Sequence, residues 1–379
     1  MEAVVAREVR ALGYEQTKSE NGRVLVQTDD PLAIPRLNIG LRTAGRVQIL
    51  VARFGCTDFG ELFDRTAALP WEEGIPRDGR FPVAGRCVKS QLHSEPDCQR
   101  LVKKAIAKRL AEAYRIGSGQ CPETGATYAV RIGIDRDEAL LTIDTTGEGL
   151  HRRGYRLDPG EAALRETMAA SLLQLSHWSP GRVLVDPFCG TGTILIEAAW
   201  MASDRAPGLR REFASEFWPR LPLSDRPAAL LFSQARDEAE SRQTTPDGPI
   251  RLFGSDIQPK QIARANEAAA RAGVADRIEL TTKGVDELRR DDEYGCLVSN
   301  PPYGERLDRD DLQTLHATWA AFAHRWRAMP TWGAFVLSAL PEVEAIFGRA
   351  ADRRRNLYNG PIACTYYQFH GPKPPQEEK

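Results

Sequence analysis

The chain has 379 residues, 42% hydrophobic and 27% charged, and a formal net charge of -1, which describes an ordinary globular protein with room for two or three domains. Near-neutral charge excludes a globally basic nucleic-acid binder, so any basic surface must be local. No apolar run approaches the roughly 20 residues that span a bilayer, which points to a protein without a membrane partner.

The amino terminus mixes Glu2, Arg7, Glu8 and Arg10 among its apolar residues, as an amphipathic helix does and a signal peptide does not. A cytoplasmic location is expected. The seven cysteines are scattered with no C-x-x-C pair, which argues against a zinc site and against a disulfide framework; no metal is expected.

Residues 1–45 read as a helix ending at Gly13, a strand over 23–27 and a second helix over 31–41, an alternation that predicts a small α+β unit of the ferredoxin-like kind. A strand over 47–54 and a helix over 58–69, closed by Pro70-Trp71, open a second region taken to run over 46–158. Inside it lies a basic window. Arg80, Arg86, Lys89, Arg100, Lys103, Lys104, Lys108 and Arg109 stand against only Glu95 and Asp97. Apolar residues at helical spacing over 97–114 leave Lys103 and Lys104 on other faces, where with Lys89 they suit phosphates; a solvated helix face explains the same charges.

Two strands over 128–134 and 138–144 then form a hairpin across Asp135-Arg136-Asp137. The run Leu150-His151-Arg152-Arg153-Gly154-Tyr155-Arg156 follows. Arginine grips phosphate bidentately and stacks on bases, so Arg152 and Arg153 are nucleic-acid candidates, with an interdomain strap as the alternative. Asp158-Pro159-Gly160 is the expected boundary to a third region, 159–379.

After a helix over 161–175 comes V-L-V-D-P-F-C-G-T-G at 183–192: strand, tight turn, helix. The proline-punctuated residues 203–249 read as an insertion with some helix. Strands over 250–254, 277–281 and 296–299, with a helix over 259–272, then resume an alternation in which each strand ends in a polar residue on one edge. This predicts an α/β fold, a Rossmann-like doubly wound parallel sheet.

The turn after Val185 lacks the Lys-Ser/Thr of a P-loop and has Leu195 where a dinucleotide fingerprint needs a small residue. Asp186 before Gly190 and Gly192 instead suits a cofactor with a cationic amino group, as in S-adenosylmethionine. Asp256 can accept the hydroxyls of a ribose; its spacing from Asp186 far exceeds the roughly 20 residues of the dinucleotide fingerprint, and the insertion accounts for the excess. Asp286 can accept from an adenine amine. Asn300-Pro301-Pro302-Tyr303 is the most specific signal: two prolines remove backbone donors and leave carbonyls beside the Asn300 amide oxygen, an acceptor-only pocket with an aromatic lid for a nucleobase amine.

D-P-F-C-G-T-G followed by N-P-P-Y resembles the amino-methylating class I S-adenosylmethionine-dependent methyltransferases, and most closely the bacterial ribosomal RNA guanine-N2 methyltransferases with an amino-terminal THUMP domain, the RlmL/YpsC-like group. The resemblance extends to Leu69-Pro70-Trp71, to the region from Phe81 to Leu110, to the run from His151 to Arg156 and to Leu357-Tyr358-Asn359-Gly360. It implies a THUMP-like RNA-binding region over 46–158 and a methyltransferase domain over 159–379. It also implies a cofactor site of Asp186, Cys189, Gly190, Gly192, Asp256, Ile257, Asp286 and Asn300, with Asn300 to Tyr303 on the target base. The implied substrate is guanosine N2 in 23S ribosomal RNA. Transfer RNA guanine N2, DNA adenine N6 and a ribosome-assembly role with secondary methylation stay open. Long members of the group append a second, 7-methylguanosine-forming domain for which this chain has no room, so one activity is expected.

Overall fold

The computed structural model describes residues 1–117, 119–156, 164–245, 251–303 and 309–375. The amino-terminal unit consists of α1 (Glu2–Ala11), the hairpin β1 (Thr17–Glu20) and β2 (Arg23–Val26), and α2 (Ala33–Gly40). The expected strand is the second arm of that hairpin. Its first arm, Thr-Lys-Ser-Glu, buries no residue fully and so carries no apolar signature.

The next unit is a four-stranded sheet in the order β3-β6-β5-β4. Its elements are β3 (Gln48–Gly55), α3 (Phe59–Ala67), α4 (Trp71–Gly74), β4 (Val83–Val88), α5 (Glu95–Ala113), β5 (Val130–Asp135) and β6 (Glu138–Asp144). Asp58 caps α3 by accepting from the Glu61 N–H. The hairpin turn between β5 and β6 puts Arg136 and Asp137 at φ 48 and 63, the left-handed pair of a tight hairpin turn. Strand β4, not foreseen, lies parallel to β5 and approaches so closely that a Cβ on Gly85 would sit 2.4 Å from Ile132 Cγ2.

The remaining chain gives α6 (Glu166–Leu175), β7 (Leu184–Asp186), α7 (Thr193–Ala202), α8 (Ala228–Ser241), β8 (Leu252–Asp256), α9 (Pro259–Ala272), β9 (Ile278–Thr282), β10 (Cys296–Ser299), α10 (Arg309–Arg327), β11 (Gly333–Ser338), α11 (Val343–Phe347), β12 (Arg353–Asn359) and β13 (Ile362–Phe369). Its seven-stranded sheet has the order β12-β13-β11-β10-β7-β8-β9. The five strands from β11 to β9 are parallel, as expected, and β13 enters antiparallel between β11 and β12. Asp158-Pro159-Gly160 and the expected start of α6 lie outside the described residues.

The insertion falls between β7 and β8, but its aromatic residues leave the seven-stranded sheet. Phe213, Trp218, Leu221, Leu231 and Phe232 join the core built by α2, β5 and β6 with Trp71 and Tyr128, whereas the seven-stranded sheet has its own cores. The Trp218 ring stacks on Tyr128 at 4.4 Å and its indole N–H donates to the Thr127 carbonyl at 2.9 Å. Arg36 on α2 pairs with Glu238 on α8 at 2.7 Å. The insertion is therefore a clamp between the two halves.

The 150–156 run is a second joint, and it corrects one expectation. Arg153 has a side chain only 1% exposed; it donates to Glu197 Oε1 at 3.3 Å and to the carbonyls of Leu150 and Arg42, both at 2.5 Å. Tyr155 donates its hydroxyl to the same Glu197 oxygen at 3.2 Å, and Arg156 pairs with Glu166 at 2.8 Å. Arg153 cannot meet an RNA phosphate because its guanidinium is enclosed and already bonded. The strap alternative holds for Arg153, Tyr155 and Arg156.

Trp218→Ala should remove about 3 to 5 kcal/mol of packing. In hydrogen exchange, amides of β5, β6 and α2 should lose protection while β7, β8 and β10 keep theirs; uniform protection across both halves would contradict the clamp.

Candidate active site

The carboxyl ends of β10, β7, β8 and β9 lie side by side on one edge, and the chain reverses its direction of travel across the sheet between β7 and β10. Such a switch point opens a crevice at the carboxyl ends of parallel strands. Asp186 and Asp256 are the last residues of β7 and β8, and Asp286 and Asn300 follow β9 and β10 on the same edge.

Asp186 is buried, and its Oδ1 accepts from the Phe188 N–H at 3.2 Å and from the Ser299 hydroxyl at 2.5 Å. Burial, only partly offset by these bonds, pushes its pKa up to about 7. Asp256 is half-buried. It accepts from the Gly190 N–H at 3.1 Å and the Gln258 N–H at 2.9 Å, so both acids fix the turn as well as facing the crevice edge.

Gly190 and Gly192 adopt φ 50 and 76, and Gly192 caps α7 in the left-handed conformation, where a side chain would be strained. A Cβ on Gly192 would also approach Ala265 of α9 to 3.3 Å. Cys189 is buried beneath the turn, and burial pushes its thiol well up, so it is packing and not a nucleophile.

Gly284 brings two expected residues together. A Cβ there would lie 2.3 Å from Asp286 Oδ1 and 3.9 Å from Ile257 Cδ1. Ile257 is 73% exposed, an apolar surface next to an exposed carboxylate. A planar, amine-bearing ring fits such a pair, and the acids and glycines on this edge suit the rest of S-adenosylmethionine: hydroxyls at Asp256, a cation near Asp186.

In the Asn300 loop the side-chain oxygen is buried and has no hydrogen-bond partner among the described residues. Pro301 is buried and Pro302 exposed. Not every carbonyl points outward, however: that of Pro302 accepts from the Trp319 indole N–H at 2.9 Å. The Tyr303 hydroxyl accepts from Asn359 Nδ2 at 2.8 Å, which fixes the ring from the end of β12. Gly304 lies outside the described residues. Three supporting residues were missed: Ser299, Trp319 and Asn359. Only Asn359 carried a signal, in the Leu357 to Gly360 motif.

The basic candidates separate. Lys89, Lys104 and Arg152 are exposed. Lys103 instead holds both carboxylate oxygens of Glu123 at 2.7 Å and lies 4.5 Å over the Phe81 ring, so its charge is compensated within the protein.

Residues 153–368 match the family described as RMKL-like, methyltransferase domain; residues 1–48 match the RlmL ferredoxin-like domain and 56–144 the THUMP domain. The chain is 43% identical over 379 residues to the putative RNA methyltransferase YpsC of Bacillus subtilis (strain 168), covering 100% of this chain and 96% of that protein. It is 32% identical over 377 residues to the ribosomal RNA large subunit methyltransferase K/L of Ectopseudomonas mendocina (strain ymp), covering 96% of this chain and 50% of the longer relative. A predicted N6-adenine-specific DNA methylase from Listeria monocytogenes, solved by crystallography, is 44% identical with a TM-score of 0.89, covering 98% of this chain and 93% of the other. The crystal structure of a putative methyltransferase complexed with SAH is 36% identical with a TM-score of 0.89, covering 99% and 96%. With a family match over more than half of its length and these full-length relatives, the chain belongs to the RMKL-like methyltransferase family.

Proposed function

We propose that this protein transfers a methyl group from S-adenosylmethionine to the exocyclic N2 amine of a guanosine in RNA, with 23S ribosomal RNA as the substrate. The observation that carries the amine is the buried, unpartnered Asn300 Oδ1 in a loop whose next two residues have no backbone donor. Such an acceptor is satisfied by an N–H that arrives with the substrate. RNA is favoured by the THUMP match and by the names of the YpsC and K/L relatives, an RNA methyltransferase and a ribosomal RNA methyltransferase; guanine rests on the motif resemblance alone. Transfer RNA guanine N2 remains a variant of the same reading. The name of the Listeria protein favours a second reading, adenine N6 in DNA, because the loop reads an amine and not a base.

The bound cofactor supplies an electrophilic methyl carbon on a sulfonium. Asp256 would hold the ribose hydroxyls, Ile257 and Asp286 the adenine, and Asp186, Gly190 and Gly192 the methionine part. During methyl transfer positive charge would grow on the amine nitrogen. The Asn300 oxygen and the Pro301 carbonyl accept its two hydrogens and stabilise that charge. The proton then leaves to water, so no strongly shifted general base is needed. Tyr303, held by Asn359, stacks on the flipped base. Lys89, Lys104 and Arg152 would meet phosphates.

Asn300→Ala should lower the single-turnover rate on undermethylated 23S ribosomal RNA by about 10² to 10³, with cofactor and RNA binding nearly intact. A rate within a few-fold of wild type would remove Asn300 from the chemistry, and 6-methyladenine among the digested nucleosides would overturn the guanine assignment.

Asp256→Ala should weaken cofactor binding by about 1.5 to 3 kcal/mol in calorimetry. Equal affinity for S-adenosylhomocysteine in a folded variant would reject the ribose role.

Asp186 predicts a pH dependence. Its pKa in the folded, ligand-free protein is raised from 3.8 to about 7. The folded state therefore holds a proton that the unfolded chain releases, and ligand-free stability falls as pH rises through that interval. A cationic ligand beside Asp186 needs the carboxylate, so cofactor affinity should run the other way: constant above pH 7 and about tenfold weaker per pH unit below it. Asp186→Asn should flatten the profile; an unchanged slope in that variant would reject the assignment.

A further inference from the structure

Strand β12 is the edge of the seven-stranded sheet and, among the described residues, pairs only with β13. Side chains alternate along a strand, so Arg353, Arg355, Leu357 and Asn359 share one face and Arg354, Asn356 and Tyr358 the other. The first face is that of Tyr366, which lies opposite Arg355 and donates its hydroxyl to the Leu172 carbonyl on α6.

Nearby arginines on other positions are neutralised: Arg354 by Glu344 and Arg349 by Asp352. Arg353, Arg355 and Arg7 of α1 have no such carboxylate among the described residues. Arg355 Nε is buried with no hydrogen-bond partner. Three guanidinium groups gathered without an anion repel one another, and a multiply charged oxyanion that takes their forked donors reverses the sign of that interaction.

The strand also has a direction. β12 runs the same way as β10, because each neighbours an antiparallel or parallel partner through β13 and β11. Its last residue, Asn359, therefore reaches the catalytic edge, where it donates to the Tyr303 hydroxyl at 2.8 Å. At about 3.3 Å per residue, Arg355 lies roughly 13 Å and Arg353 roughly 20 Å back along the strand.

We propose that the face formed by Arg7, Arg353 and Arg355 binds the phosphate backbone of the RNA strand whose target nucleotide enters the loop at Asn300 to Tyr303. The proposal rests on the RNA reading of the site. It adds a phosphate track, leading from α1 along the sheet edge to the lid tyrosine, that is separate from Lys89, Lys104 and Arg152.

The test is binding of in vitro transcribed 23S ribosomal RNA over a range of salt concentrations. The triple variant Arg7→Gln, Arg353→Gln, Arg355→Gln should lower the slope of log affinity against log salt by about 2 to 3, since each lost phosphate contact removes roughly 0.7 to 0.9. Cofactor affinity should be unchanged. Arg354→Gln, on the opposite face and paired with Glu344, should leave the slope alone. If the triple variant melts early, Arg7→Gln, at an exposed helix position, should still lower the slope by about 0.7 to 0.9, and Arg355→Lys, which keeps the charge, should retain it. An unchanged slope in the triple variant, or an equal loss in Arg354→Gln, overturns the track while wild-type methylation of the transcript upholds the RNA reading. Wild-type protein that methylates duplex DNA and leaves the transcript unmodified overturns the RNA reading itself.

Discussion

Two carboxylates at adjacent strand ends hold one turn, and the geometry of the crevice depends on them. Asp256 reaches from β8 to the Gly190 N–H, and Asp186 ties the Phe188 N–H and the Ser299 hydroxyl, so β8, β7 and β10 are cross-linked at their carboxyl ends. Charge-assisted hydrogen bonds of this kind are roughly twice as strong as neutral ones. They fix the left-handed glycines that a flexible loop would have to order on each binding event. The burial that holds Asp186 in place is also what pushes its pKa up to about 7, so position and charge are in tension at this acid.

The same economy of parts joins the two halves of the protein. An insertion in the methyltransferase sheet supplies aromatic core to the amino-terminal sheet, and the 150–156 run returns the contact through Arg153 and Glu197. A buried ion pair is weak evidence for stability, because desolvation opposes the attraction. Here Arg153 also satisfies the Leu150 and Arg42 carbonyls, and Tyr155 shares the Glu197 oxygen. The pair therefore specifies how the halves meet more than how strongly each one folds. Removing Glu197 alone would leave an enclosed cation, the arrangement that is most destabilising.

Which features were legible in the sequence follows from the range of the interaction behind each. Helix α9 was read to the residue because Pro259 and Gly273 are local start and stop signals, and β10 because an apolar run meets a polar loop. The strand-end acids were legible for the same reason. β1 is too polar to register, and β4 is interrupted by Gly85 and Arg86, so both depend on partners far along the chain. The charges misled where a partner was distant. Lys103 meets Glu123 and Arg153 meets Glu197, and a sequence window shows the cation without its counterion. In the same way the carbonyl of Pro302 is taken by Trp319, a contact with a helix that gave no motif.

That last contact narrows what the catalytic loop can select. On the proposed reading the Asn300 oxygen and the Pro301 carbonyl take the two hydrogens of one amine, while the Pro302 carbonyl is engaged by Trp319. Guanine N2 and adenine N6 both present that amine, and an aromatic ring stacks equally well on either base. Discrimination between bases must therefore come from contacts to their other edges, and discrimination between RNA and DNA from groups outside the loop that sense backbone shape and the 2′-hydroxyl. On the proposed reading the loop recognises the amine, and the choice of nucleotide rests with the surfaces around it, the THUMP region and the arginine edge of β12 among them.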